Sequence, residues 1–170
     1  MAGRDRSSLT ERFWQDYREA AGLHHDVYDV VAFGDGPEMA TELAELVVAG
    51  IKRATAGLVR QFGPGGEAPP VVGGFVVLVD GSGQPRAIWR TTDVRIGPLN
   101  SVDEQFARDE GEGERTRDWW LAAHRRFFTR RAETEGFSMH DAIETVFERF
   151  EVVWPAGIAD APVPRTQRSA

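Results

Sequence analysis

Lys52 is the only lysine among the 20 basic residues of the chain; the others are all arginine. Arginine serves nearly every surface role of lysine, but its guanidinium stays protonated, whereas a desolvated lysine amine can lose its proton. Lys52 stands just past a helical stretch, beside Arg53, in Gly50-Ile51-Lys52-Arg53-Ala54-Thr55. Burial and a like-charged neighbour both favour the neutral amine. Within reach of the Thr55 hydroxyl, such an amine can activate it as a nucleophile, a general-base effect of roughly 10²–10⁴ in rate. Residues three apart on an ideal strand face opposite ways, so the two side chains converge only if the turn begun at Gly50 persists through Ala54. The same spacing also fits a structural role, with Lys52 favouring the negative end of a helix dipole and Thr55 serving as a strand former.

Other familiar chemistries lack an anchor. No G-x-x-x-x-G-K-[ST] is present, and Gly81-x-Gly83 and Gly111-x-Gly113 lack the third glycine of a dinucleotide loop. His24, His25, His124 and His140 fall at no spacing typical of zinc, and the absence of cysteine removes thiol nucleophiles and thiolate ligands. The acidic run Asp109-Glu110-Gly111-Glu112-Gly113-Glu114 has the charge density of a cation loop without the ligand order of an EF-hand, and it reads as a solvated turn. A G-x-S-x-G elbow is missing too. The sequence therefore calls for no metal and no cofactor.

The elements that must position Lys52 and Thr55 are legible from periodicity. Ser8-x-x-Glu11 has the form of a capping box and predicts a helix from about Leu9 to Ala21. His24 to Phe33 is rich in strand formers. Asp35, Pro37 and Glu38 then suit the start of a helix over Pro37 to Ala49, with Met39, Leu43, Leu46 and Val47 as its apolar stripe and Gly50 as the left-handed residue past its end. A strand is expected at Ala54 to Gln61, and a hairpin from Phe75 to Asp80 and Arg86 to Ile96 around Gly81-Ser82-Gly83-Gln84-Pro85. Ser101-x-x-Glu104 opens a short helix, Thr116 to Thr134 forms a longer one, and Thr145 to Trp154 returns to strand, with Val146, Phe150 and Val152 bracketing charged residues. This order lacks the strict alternation of a doubly wound sheet and points to an α+β domain around a mostly antiparallel, curled sheet.

Composition bounds the function classes. A hydrophobic fraction of 41% over 170 residues suits a folded domain, and no apolar run reaches the ~20 residues of a membrane span. No membrane partner is expected, and the cytoplasm is the expected location. A net charge of −7 argues against a broad phosphate-tracking surface, so duplex DNA is not an expected partner and a short single strand or a nucleoside fits better. The boundaries read as a helical extension over 1–26, the domain over 27–155, and a disordered tail over 156–170.

Taken together, several segments resemble the ASCH family. They are Phe33-Gly34-Asp35 with the following helix, Gly50-x-Lys52-x-x-Thr55, Glu110-Gly111-Glu112-Gly113, the helix with Trp119 and His124 to Phe128, and the strand Phe147-Glu148-Arg149-Phe150. The likeness covers about Tyr28 to Trp154. It implies a PUA-like fold, a small mostly antiparallel β-barrel with flanking helices, and an association with RNA. Some members are similar to amidohydrolases that remove acyl groups from N4-acylated cytidine; on that likeness Lys52, Thr55 and Glu110 would be catalytic, with Glu112 as an alternative acid. RNA cleavage is a further activity associated with the family. As a binding module, the chain would hold single-stranded RNA or a modified nucleoside around Lys52, with Arg53, Arg60, Arg90, Trp119 and His124 as contacts. A third class is an interaction module whose groove receives a peptide or a partner protein, with the exposed flank of the Thr116 to Thr134 helix as its surface.

Overall fold

A computed structural model describes residues 2–163. Ten principal elements follow in chain order: β1 (Ala2–Gly3), α1 (Ser8–Ala21), β2 (Asp29–Ala32), α2 (Pro37–Val48), β3 (Ala54–Leu58), β4 (Phe75–Val79), β5 (Pro85–Pro98), α3 (Glu104–Glu110), α4 (Arg117–Glu135) and β6 (Glu144–Trp154). The strands form one sheet in the order β1-β2-β4-β5-β6-β3. Only β2 and β4 pair in parallel; the other four neighbouring pairs are antiparallel. The sheet bends where the register slips within β5, near Ile88/Trp89 and Thr91/Asp93, since an extra residue on one strand increases local twist. An α+β fold with a curled, mostly antiparallel sheet is what the element order implied.

The helices divide the core into three parts. Trp14 and Tyr17 of α1 pack with Val30, Val77, Val79 and Ile88. Ala44 and Val47 of α2 meet Val31, Leu78, Trp89, Phe150 and Val152 on the opposite side of the strands. Phe106 and Ala107 of α3 and Trp120, Leu121 and Phe128 of α4 close over Ala54, Leu58 and Phe147. Strand alternation explains the split, because Phe147 turns to the third cluster while Phe150 and Val152 turn to the second. Among the described residues, no helix is long and apolar enough to cross a membrane.

Several boundaries differ from the sequence reading. Ser7, not Ser8, caps α1, and its partner is Thr10 at the third helical position rather than Glu11. Gly36 caps α2 without a side-chain bond, Pro37 follows it, and Ala40, Ala44 and Val47 are its buried residues, while Met39 stays exposed. β3 stops at Leu58 and a 3₁₀ turn, Val59–Gln61, follows. Asp103 rather than Ser101 caps α3, accepting a bond from the Phe106 amide. Residues 156–163, expected in the tail, fold back: Ile158 packs on the α2 core, and Asp160 binds both the Val152 amide and Arg53. Residues 164–170 of that tail lie outside the described part.

Candidate active site

The end of α2 sets the position of Lys52. Gly50 takes φ of +80°, and the amides of Ile51 and Lys52 both donate back to the Leu46 carbonyl, at 2.9 and 3.1 Å. The chain thus keeps turning past the helix end as far as Lys52, but β3 begins at Ala54, so the turn does not persist through Ala54 as the sequence reading required. The Arg53 amide donates to the Asp109 carbonyl at 2.7 Å, which ties this turn to the end of α3. Contact there is close: a side chain at Gly111 would place its Cβ 2.8 Å from the Ile51 carbonyl oxygen, and the φ of +76° at Gly111 is a second reason for glycine.

That docking brings Glu110 and Glu112 to Lys52. The Lys52 Nζ lies 2.7 Å from Glu112 Oε1 and 3.6 Å from Glu110 Oε1, and it donates to the Glu110 carbonyl at 3.3 Å. Lys52 and Glu110 are only 1% and 2% exposed, so this is a buried charge cluster opening through the 21%-exposed Glu112. Glu110 Oε2 accepts a bond from Trp120 Nε1 and lies 3.5 Å from His124 Nε2. The His124 Nδ1–H donates to the Trp120 carbonyl at 2.9 Å, and the imidazole stacks on the Trp120 ring at 3.6 Å. With Nδ1 committed as a donor, only the imidazolium can also donate from Nε2 to Glu110.

The charges follow from this geometry. Burial by itself pushes the Lys52 pKa down, but the carboxylates of Glu112 and Glu110 outweigh it and hold the pKa above its ordinary value. Burial likewise pushes Glu110 up, yet Lys52 and His124 bring it below the usual range. For His124, burial favours the neutral ring, and Glu110 overrides it to raise the pKa. These directions favour an ammonium at Lys52, a carboxylate at Glu110 and an imidazolium at His124. This corrects the sequence expectation of an uncharged Lys52 amine, which took account of Arg53 but not of two carboxylates some sixty residues away.

Beside the cluster is a cavity of about 250 Å³, lined by Thr55, Glu110, Glu112, Trp119 and His124 together with Phe33, Met39 and Phe127. Thr55 is buried in β3 directly opposite Glu148 of β6, so the two side chains share a face of the sheet. Trp119 closes one wall by lying over Gly113, where any Cβ would fall 2.1 Å from the indole. Of the expected RNA contacts, Trp119 and His124 line the cavity, Lys52 lies buried behind Glu110 and Glu112, and three arginines are elsewhere. Arg53 makes a two-pronged pair with Asp160, Arg60 pairs with Glu135, and Arg90 pairs with Glu151. Among the described residues, no cluster of His, Asp and Glu is arranged to hold a metal.

One residue escaped the sequence reading. Glu148 is 2% exposed and accepts bonds from Trp89 Nε1 at 3.1 Å and Thr91 Oγ1 at 2.6 Å, both at Oε1. Burial raises its pKa, and those two donors only partly offset the rise. A glutamate between Phe147 and Arg149 looks like one of the solvated charges of an alternating strand; only its place opposite Thr55 singles it out.

The ASCH domain family model matches residues 29–154, most of the chain. The chain belongs to the ASCH domain family. Two solved structures agree with this ASCH assignment. The ASCH domain from Lactobacillus crispatus JV V101 is 30% identical and superposes with a TM-score of 0.76, over 88% of this chain and 96% of that one. Protein EF3133 from Enterococcus faecalis V583, of the family model DUF984, is 38% identical with a TM-score of 0.76, over 84% and 86%. No curated protein matches. The curled sheet with its helices is the PUA-like half-barrel of the ASCH fold, which is often linked to RNA binding.

Proposed function

We propose that this ASCH domain is an amidohydrolase that takes an acylated cytosine nucleoside into the Lys52 cavity and removes the N4-acyl group. The observation that carries this reading is a buried Lys52 held between two carboxylates beside a cavity into which Thr55 opens. Buried charges of this kind stabilise a fold poorly compared with apolar packing, and perturbed titrating groups gathered at a cavity are a mark of catalytic sites.

The charge state assigns the roles. Thr55 Oγ attacks the acyl carbonyl, and the Lys52 ammonium stabilises the oxyanion that develops. The hydroxyl proton passes to Glu112, the more exposed carboxylate of the cluster. Collapse of the tetrahedral intermediate breaks the bond to N4, which takes that proton and departs as the amine of cytidine. Water then hydrolyses the threonine ester and releases the carboxylic acid. Glu110 fixes Lys52, and His124 with Trp120 fixes Glu110. A Lys52→Ala variant is expected to lose N4-acetylcytidine turnover by about 10² or more, the scale of losing an oxyanion donor. Full turnover in that variant would overturn the reading.

A second reading, binding of single-stranded RNA, is favoured by Trp119 and His124 at the cavity, since an unstacked base can lie on an aromatic wall. It extends to the cavity rather than to Arg53, Arg60 and Arg90, whose charges are already paired. A salt-sensitive mobility shift with short single-stranded RNA would support it, and no shift would remove it.

A further inference from the structure

We propose that Arg126 and Arg130 form a phosphate clamp at the mouth of the Lys52 cavity, so that its ligand is a nucleotide or a 5′-phosphorylated strand end rather than a free nucleoside. The inference rests on the nucleobase reading of the cavity given above, and concerns what lies at its rim. Both arginines line the cavity, and at four residues' separation they project from one side of α4, a turn apart.

Their charge is available. Arg53, Arg60, Arg90, Arg125, Arg131 and Arg149 each hold a carboxylate at hydrogen-bond range, which consumes much of the basic charge of this acidic chain. Arg126 makes no ion pair among the described residues. Arg130 is 58% exposed, reaches Asp35 only at 3.9 Å, and otherwise stands 5.8 Å from the Phe127 ring. Two guanidiniums free of a close carboxylate at one opening match the fork geometry that phosphate oxygens accept.

The spacing matches a nucleotide. His124, at the inner end beside Glu110, and Arg130, at the rim, are separated along the α4 axis by roughly 9 Å, at ~1.5 Å per residue. That is about the reach of a nucleoside from the base amine to the 5′ oxygen. A cytosine whose N4 substituent faces Thr55 would bring its 5′ group to the arginines. The charge-balanced cluster inside the cavity and the cationic rim also fix the direction of entry, base first.

Cytidine 5′-monophosphate and cytidine are the probes, with Trp119 fluorescence as the readout in the full chain. The monophosphate is expected to bind roughly tenfold to a hundredfold more tightly, as charge-assisted bonds to phosphate imply, with a preference that shrinks as salt rises. In the Arg126→Gln/Arg130→Gln double variant the ratio of the two affinities is expected to fall close to one, whereas Arg12→Gln on α1 should leave the ratio intact. A monophosphate that binds no better than cytidine, or not at all, overturns the clamp, as does a preference that survives the double variant. Failure to turn over N4-acetylcytidine would instead count against the hydrolytic reading and leave the affinity ratio standing.

Discussion

Thr55 carries the attacking oxygen in the proposed reaction, and its hydroxyl is the only part of it that chemistry needs. Thr55→Val keeps the shape of the strand residue and removes the oxygen, so N4-acetylcytidine turnover is expected to vanish while circular dichroism stays unchanged; Thr55→Ser is expected to keep measurable activity. His124 makes a separate prediction in pH. Its folded pKa is raised, so the stability it contributes is fully present below its unfolded value near 6.5 and is lost as pH rises through the higher folded value. The thermal midpoint of the wild type should fall over that range relative to His124→Gln, and parallel curves for the two proteins would refute the ion pair with Glu110. Glu148 behaves in the opposite sense to a paired carboxylate. Burial raises its pKa, so ionising it costs stability as pH rises above its unfolded value. Glu148→Gln keeps an acceptor for Trp89 and Thr91, and should raise the thermal midpoint by about 2–4 °C near neutral pH, with a gap that narrows in acid. As candidates, Lys52, Thr55 and Glu110 were legible because their types and order form a pattern. The charge of Lys52 and the burial of Glu148 were not, since both depend on residues distant in sequence.

Helix ends do the positioning. The short α3 ends so that Glu110 lies in its last turn and Glu112 just beyond the left-handed Gly111, which directs both carboxylates to the one lysine. The sequence reading had Glu110 in an acidic loop. It placed the cap two residues early, at Ser101 rather than Asp103, and did not carry the helix on through Asp109 and Glu110. The turn after α2 was anticipated, because a glycine past an apolar stripe has few other uses. Gly113 is the sensitive point in the next segment. Gly113→Ala would drive a methyl into the Trp119 indole and strain a backbone at φ of +52°. It is expected to weaken cytidine monophosphate binding at least tenfold and to red-shift the tryptophan emission, while leaving most of the helical signal.

At the scale of the molecule, the segment after β6 is tied to the site. Arg53 donates to the carbonyls of Val47 and Lys52 with one nitrogen and to Asp160 with the others, so the final described turn braces the loop that carries Lys52. Asp160→Asn should lower the thermal midpoint by about 2–4 °C, for a loss near 1 kcal/mol, and a larger loss of activity than of stability would show that the brace matters to geometry as well. The fold class could be read from the order of elements, yet the folding back of residues 156–163 could not, because small, polar, proline-bearing sequence carries no periodicity. The pairing of β3 with β6 has one more consequence. Thr55 sits on an edge strand whose sole neighbour is the last strand described, Ala54 to Leu58 running against Thr145 to Arg149. During synthesis Thr55 waits without a strand partner until β6, about ninety residues further on, has been made, so a product that stops short of β6 lacks this pairing, and the geometry around Thr55 forms only in the late step that joins these distant segments.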